Sequence, residues 1–375
     1  MIFFDVAFYA AIAPLLPSYV DDLGLDKAQA GVLSASYAAG TLVASLPAGF
    51  LASRVGPRMT VIYGLLALGM SSLVFGLADQ VYVLDATRFV QGAAGALIWA
   101  GAFSWLIVMS PEDRRGSLIG SALGTAVAGA LLGPALGALA ASVGTGPVFA
   151  SVLLLTTALA FYAWRLPEVE APPPQSLGEV LKTILSRPVL DAVAFVGVPS
   201  VMFGAIEVLV PLRIDSLGGG HGVIAAGFIA GAALEAMLAP FAGRLSDRVG
   251  RRSPYVIGLL ICAGAMIVIG VVSTLGAVLA SLILTSLGAG LCFAPALTLI
   301  SDVAESSGLH QGFAAGLANM AWASGQVIGG VGGGVVAGLT GNAEPNLAIA
   351  LLLALTVAYA FRTMDPRTEP RPAAG

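Results

Sequence analysis

Long apolar runs separated by short polar breaks set the pattern of this chain. Runs of mostly apolar residues fall at approximately 1–20, 28–52, 59–78, 81–108, 115–142, 147–165, 190–213, 222–246, 254–273, 276–301, 311–340 and 345–362. About 20 such residues suffice for one helix to cross a bilayer. The runs are rich in glycine and lack strict period-two alternation, which argues against barrel strands and for helices. Twelve membrane helices are therefore predicted. The longest break, Pro167 to Arg187, holds Pro172, Pro173 and Pro174, which cannot be helical, and then a short amphipathic piece, Leu177–Leu185. It separates six spans from six. The expected organisation is an all-α integral membrane protein: a six-helix bundle at 1–165, a cytoplasmic linker at 166–189, a second six-helix bundle at 190–364 and a cytoplasmic tail at 365–375.

Composition agrees with lipid as the solvent. Of 375 residues, 58% are apolar and only 10% charged, where a soluble domain carries about 25% charged residues. A net charge of −4 leaves no basic face for nucleic acid. Cys262 and Cys292 both sit inside apolar runs, so no disulfide scaffold is expected. With only His221 and His310, near the ends of apolar segments, no metal site is expected. No nucleophile–base pair and no phosphate-binding glycine loop is present, which speaks against an enzyme or an ATP-driven pump, and no cofactor is expected.

The position of charge is more informative than its amount. Fourteen of the 17 basic residues fall in the breaks after spans 2, 4, 6 and 8 or in the tail, among them Arg54, Arg58, Arg114, Arg115, Arg165, Arg187 and Arg362. Cytoplasmic loops collect Lys and Arg, so both termini are expected to be cytoplasmic. Of the other three, Lys27 and Arg213 flank opposite-side loops and Arg88 lies inside span 4.

The halves also repeat each other. At an offset of 194 residues Pro17 meets Pro211, Leu23-Gly24 meets Leu217-Gly218, and GFLASRVG at 49–56 meets GRLSDRVG at 243–250. After a two-residue shift, Gly92, Gly116, Gly120, Gly129, Gly133 and Gly137 meet Gly288, Gly312, Gly316, Gly325, Gly329 and Gly333. Parallel repeats of this kind place a site between two bundles and allow alternating access by rocking them. Span 7 has about 21 residues before Pro211 but span 1 only 16 before Pro17, so span 1 starts abruptly, as a truncated or late start would produce.

Several motifs resemble those of one family. Gly49 to Arg58 (GFLASRVGPR, with Arg54 and Gly56) and Gly243 to Arg252 (GRLSDRVGRR, with Asp247, Arg248, Gly250 and Arg251) resemble the cytoplasmic gate motif of the major facilitator superfamily. Leu84, Arg88, Gln91 and Gly92 resemble its fourth-helix motif, and Gly129, Gly133, Pro134 and Gly137 its fifth-helix antiporter motif. Asp5 before Pro14 and Pro17, and Glu207 before Pro211, resemble helices 1 and 7 of the twelve-span drug:proton antiporters and vesicular amine transporters. The resemblance implies a monomeric secondary transporter in the cell membrane, taking a small-molecule substrate and using H⁺ as coupling ion. It also implies that the acid of the gate motif latches the opposite half. The first copy has Ser53 in that place and Pro57 where a base is usual, so the stronger latch is expected from Asp247 to the start of span 5, near Arg114 and Arg115. The arginines also serve simply as topology-setting charges, and the glycines as packing positions.

Ionisable residues at membrane depth carry the chemistry. A charge there costs about 2.5–3.5 kcal/mol even on gentle scales, so it faces a cavity or a partner. Asp5, Arg88, Glu207 and Glu235 meet this description. A carboxyl that takes up and releases protons is what a proton-coupled exporter requires. If the chain begins at Met1, Asp5 falls at the interface and is structural. Glu235 fits equally a locally paired structural acid, and Arg88 is expected to pair with Asp85 one turn away. Tyr37, Gln91, Asn319, Trp322 and Gln326 are candidates for the cavity wall, each also explicable by packing. Asp302, Asp191 and Asp79 lie near span ends and need no functional role. The reading is proton-coupled efflux of a small organic compound or drug by alternating access. Its alternatives are proton-linked uptake of a sugar, acid or other metabolite, and a non-transporting membrane sensor.

Overall fold

The computed structural model describes residues 1–110, 115–169, 177–307 and 311–364. The first half holds α1 (Ile2–Ala10), α2 (Ile12–Leu23), α3 (Lys27–Val55), α4 (Pro57–Leu77), α5 (Val81–Met109), α6 (Arg115–Val143) and α7 (Thr145–Arg165). A short helix, α8 (Leu177–Ile184), follows. The second half holds α9 (Arg187–Ser216), α10 (His221–Val249), α11 (Arg252–Val271), α12 (Leu275–Ser306), α13 (Gln311–Thr340) and α14 (Ala343–Thr363). No strand occurs among the described residues.

Span 1 is two helices in line, and its prolines explain why. Pro14 has no N–H for the carbonyl of Ala10, and its ring crowds that carbonyl, so the regular ladder stops at Ala11. Eleven helical spans among the described residues are long and apolar enough to cross a bilayer, α1 and α2 counted as one. The remaining expected span, α13, is diluted by glycines and by Asn319 and Gln326. It packs along α9 and α3, burying one side against protein, and so needs less apolar surface. Side chains such as Leu154 and Leu339, 74% and 82% exposed, lie on the outer surface where lipid covers them.

The repeat has a geometric counterpart in the turns. Gly24 and Gly218 adopt φ of 64° and 84°, and Gly56 and Gly250 adopt 86° and 83°, a left-handed region in which a side chain is strained. It also appears in the glycine ladders. A Cβ on Gly129, Gly133 or Gly137 of α6 would stand 2.1–2.5 Å from the carbonyls of Phe3, Ala7 and Ala11. On Gly325 and Gly329 of α13 it would stand 2.2 and 1.9 Å from those of Gly197 and Val201. Each ladder thus lets the fifth span of its half lie directly on the first, backbone on backbone, as small residues do in membrane bundles. The antiporter-like motif is, in this conformation, a packing surface.

The Arg-rich face and the opposite face are closed differently. On the opposite face the halves are joined. A Cβ on Gly31 of α3 would meet the carbonyl of Gly330 at 2.4 Å, and one on Gly334 that of Lys27 at 2.3 Å. Lys27 Nζ donates to Asn342 at 2.7 Å, and His221 Nδ1 donates to the Pro14 carbonyl at 2.7 Å. A leucine at Gly334 cannot be accommodated in this arrangement, because the obstacle is backbone. We expect Gly334→Leu to lengthen the distance between spin labels placed on α2 and α10 across that face. An unchanged distance would count against the joint being a closed gate.

Candidate functional site

Below this joint, on the side toward the Arg-rich face, a cavity of about 470 Å³ lies between the halves. Its walls are apolar and hold six aromatic side chains: Tyr9 of α1, Tyr37 of α3, Trp99 and Phe103 of α5, Phe293 of α12 and Trp322 of α13. Asp5, Thr41, Ser301 and Asn319 supply the polar surface, and no Lys or Arg is among the described lining residues.

Asp5 is buried in this wall. Tyr37 Oη donates to its Oδ1 at 2.7 Å and Trp99 Nε1 to its Oδ2 at 3.0 Å, so each carboxylate oxygen has a donor. Space for the carboxylate is made by Gly95. A Cβ there would stand 2.5 Å from Tyr37 Oη and 2.7 Å from Asp5 Oδ1. Gly95→Ala therefore pushes Tyr37 off Asp5. We expect it to change ligand binding in the cavity by about tenfold, roughly the worth of one charge-assisted hydrogen bond. Titration calorimetry would read this, and unchanged affinity would show that the Tyr37–Asp5 contact is not part of the binding surface.

Arg88 does not pair with Asp85, contrary to the expectation from their spacing. Asp85 Oδ1 is buried with no hydrogen-bond partner, and Arg88 is turned the other way. Its guanidinium donates to the carbonyls of Phe8 and Tyr9, at 3.5 and 3.4 Å, and to Gln91 Oε1 at 3.2 Å. It also lies 5.1 Å from the centroid of the Tyr37 ring. The physical reason is the break in span 1. The last carbonyls of α1 lack regular intrahelical partners and carry the negative end of the helix dipole, which suits a cation with no carboxylate in contact. Gln91 lies behind Arg88, where it also donates to Ser72 Oγ at 3.3 Å, and is not part of the cavity wall.

Glu207 stands on α9 just outside the cavity and is reached through Tyr9. The Tyr9 hydroxyl donates to Glu207 Oε1 and accepts from Gln326 Nε2, the latter at 2.8 Å. Its ring packs 4.9 Å from Tyr37 and 5.2 Å from Trp322, centroid to centroid. Asn319 and Trp322, like Tyr37, line the cavity, while Gln326 is connected to it through Tyr9. Glu235 is not brought into this group. It lies on α10 against Gly290 of α12, whose Cβ position is 3.5 Å from Glu235 Cγ, and it does not line the cavity.

Sequence reasoning missed Tyr9 and Trp99. Tyr9 follows Asp5 by four residues, so it shares Asp5's helical face and was open to discovery by that spacing. Trp99 reads as an ordinary apolar residue, and only the fold aims its N–H at Asp5.

Among the described side chains of the gate motifs, Arg58, Arg251 and Arg252 find partners within their own halves. Arg58 pairs with Glu168 at 2.9 Å and donates to the Leu166 carbonyl at 3.1 Å, tying the start of α4 to the end of α7. In the second copy Arg251 pairs with Asp302, and Arg252 lies 5.2 Å over the Phe361 ring of α14. Ser53 donates to the carbonyl of Phe50 within α3 at 2.9 Å. Arg54 and Arg248 are exposed. The latch expected between Asp247 and Arg114 or Arg115 falls outside the described residues and side chains.

Comparison with known proteins places the architecture. The family model of the Major Facilitator Superfamily matches residues 1–239 and 215–375. Among curated relatives, the quinolone resistance protein NorA of Staphylococcus aureus is 27% identical over 109 residues, 29% of this chain and 28% of that protein. An MFS-type transporter of Schizosaccharomyces pombe is 32% identical over 129 residues, 33% of this chain and 29% of that protein. The matched stretch is thus under a third of either relative's length. Among solved structures, a bacterial homologue of the human lysosomal transporter Spinster, inward-facing and unoccupied, aligns with a TM-score of 0.76 at 14% identity over 98% of this chain and 96% of its own. A D-xylose–proton symporter aligns at 0.74 and 16% identity, covering 98% and 96%. At such identities the likeness is one of fold. With two glycine-laddered halves around a central cavity and a family match across its length, the chain is a member of the major facilitator superfamily of transporters.

Proposed function

We propose that this transporter exports a small organic cation with substantial apolar surface in exchange for protons, rocking its two halves about the central cavity. One observation carries this reading: Asp5 sits in a cavity walled by six aromatic rings, with no basic side chain among its described lining residues. Aromatic faces attract a cation by their quadrupole, by about 0.5–2 kcal/mol each depending on desolvation, and a buried carboxylate adds a full opposite charge. The same carboxylate is a proton site, so substrate and proton compete for one place. Glu207, linked to the cavity by Tyr9, is the second proton site. The local similarity to a quinolone resistance protein and the fifth-helix glycine motif support export as the direction.

By the distribution of arginines, the face toward which the cavity lies is cytoplasmic, and the chain resides in the cell membrane with both termini inside. It works as a monomer, since each chain encloses its own cavity. The test is the direction of tetraphenylphosphonium flux in proteoliposomes holding the full chain, under an imposed pH gradient. Countertransport against proton entry supports the proposal. Accumulation of a substrate on the side to which protons move would establish uptake instead, and absence of flux across a broad cation and metabolite panel would favour a non-transporting role.

A further inference from the structure

Tyr9 belongs to the first half, but both hydrogen-bond partners of its hydroxyl belong to the second. A phenol has a single proton to give. Gln326 Nε2 donates to the oxygen at 2.8 Å, so the Tyr9 proton is directed to Glu207 Oε1. A hydrogen bond to an ionised acceptor is about twice as strong as one to a neutral acceptor. The junction is therefore tight when Glu207 carries its charge and loosens when Glu207 is protonated. The charged and titratable groups facing it are Arg88 from α5 and Tyr37 from α3, with Asp5 next in line beyond Tyr37.

The second observation is where each partner stands. The Tyr9 ring forms part of the cavity wall, whereas Glu207 does not line the cavity at all. A ligand in the cavity touches the Tyr9 ring and has no direct contact with Glu207. Gln326 lies one helical turn from Gly330, which contacts Gly31 and Ala35 across the closed face. The junction is thus placed between the cavity and the joint that must open.

We propose that Tyr9 is the positioning residue through which cavity occupancy and the charge state of Glu207 exclude each other. A ligand packed on the ring holds the hydroxyl on ionised Glu207. A proton on Glu207 releases the ring, which then encroaches on the ligand's space. Thermodynamic reciprocity makes these one coupling: if protonation weakens ligand binding, ligand binding expels the proton. This rests on the reading of the cavity and of Glu207 given above, and it assigns their communication to a side chain that carries no charge.

The experiment measures tetraphenylphosphonium affinity of the purified full chain from mildly acidic to mildly alkaline pH, in wild type, Tyr9→Phe and Glu207→Gln. In wild type the affinity rises about tenfold or more toward alkaline pH, within the usual range of coupling between sites. The readout is the ratio of alkaline to acidic affinity, whatever the absolute affinity: Tyr9→Phe lowers it by the share that Glu207 supplies, leaving the share of Asp5, and Glu207→Gln lowers it likewise. The double variant is no flatter than either single one. A Tyr9→Phe profile as steep as wild type, with a Glu207→Gln profile flatter than wild type, would overturn this proposal alone. A Glu207→Gln profile as steep as wild type would overturn the assignment of Glu207 itself, and failure of the probe to bind wild type at any pH would overturn the cavity as a cation site. Should Tyr9→Phe not fold, Gln326→Leu carries the test, since it removes the donor that directs the Tyr9 proton. A flattened profile supports the proposal, and a wild-type profile overturns it.

Discussion

On the proposed function, Glu207→Gln is expected to abolish pH-gradient-driven export of an organic cation from proteoliposomes, cutting the initial rate by about 100-fold or more, a barrier change of about 2.7 kcal/mol. The argument is local. Glutamine keeps the volume and an oxygen for the Tyr9 hydroxyl, so the contact between α1 and α9 survives in weakened form. What is lost is the group proposed to take and release the proton. Exchange of labelled for unlabelled substrate without a gradient should persist, because it needs only the cavity and the rocking of the halves. Glu235→Gln is the comparison. Glu235 lies against the backbone of Gly290, apart from the cavity, and its removal should leave driven export within about threefold of wild type. Full driven export in Glu207→Gln would remove Glu207 from the coupling, and an equal loss in Glu235→Gln would place coupling in the interior of the second half.

The largest structural effect is expected at Gly92. A Cβ there would stand 1.7 Å from the Tyr37 carbonyl oxygen, and one on Gly40 would stand 1.9 Å from that of Phe89. These obstacles are backbone atoms of the facing helix, and no rotamer change clears them. Even alanine must push α3 and α5 apart. Overpacking of this kind costs about 1–3 kcal/mol and more where the backbone itself must move. The consequence reaches the site, because Tyr37 and Arg88 meet at this crossing. We expect Gly92→Ala to lower the thermal midpoint by several degrees and Gly92→Leu to yield no monodisperse protein on size exclusion. Gly124→Ala, where an added Cβ meets no atom within 4 Å, should be neutral. A Gly92→Leu protein as stable as wild type would mean that the close crossing is not needed.

How much of this was legible beforehand differs residue by residue. The glycine ladders were readable because close approach of backbones leaves few alternatives to glycine, and the repeat exposed the positions twice over. Asp5, Arg88 and Glu207 stood out because charge at membrane depth is expensive. The partners were not readable in the same way. Arg88 and Asp85 have the spacing of a helical pair, yet the guanidinium is drawn to the carbonyls where α1 ends, a feature of another segment created by Pro14. Tyr9 escaped because a tyrosine costs little in an apolar helix, so its position alone signals nothing. Its role arises only when the second half brings Glu207 and Gln326 to it, 198 and 317 residues away in sequence. Glu235 shows the converse: a conspicuous charge that the fold sets apart from the cavity.

The central claim is that a cation in the cavity and a proton on Asp5 or Glu207 exclude each other. The most direct measurement is proton release on adding tetraphenylphosphonium to the purified transporter in weakly buffered solution, read by a pH indicator. The account predicts release of about one proton per bound cation near neutral pH, by linkage between the two equilibria, and little or none from a variant carrying both Asp5→Asn and Glu207→Gln. Binding that releases no proton from the wild-type protein, or that takes one up, would contradict it.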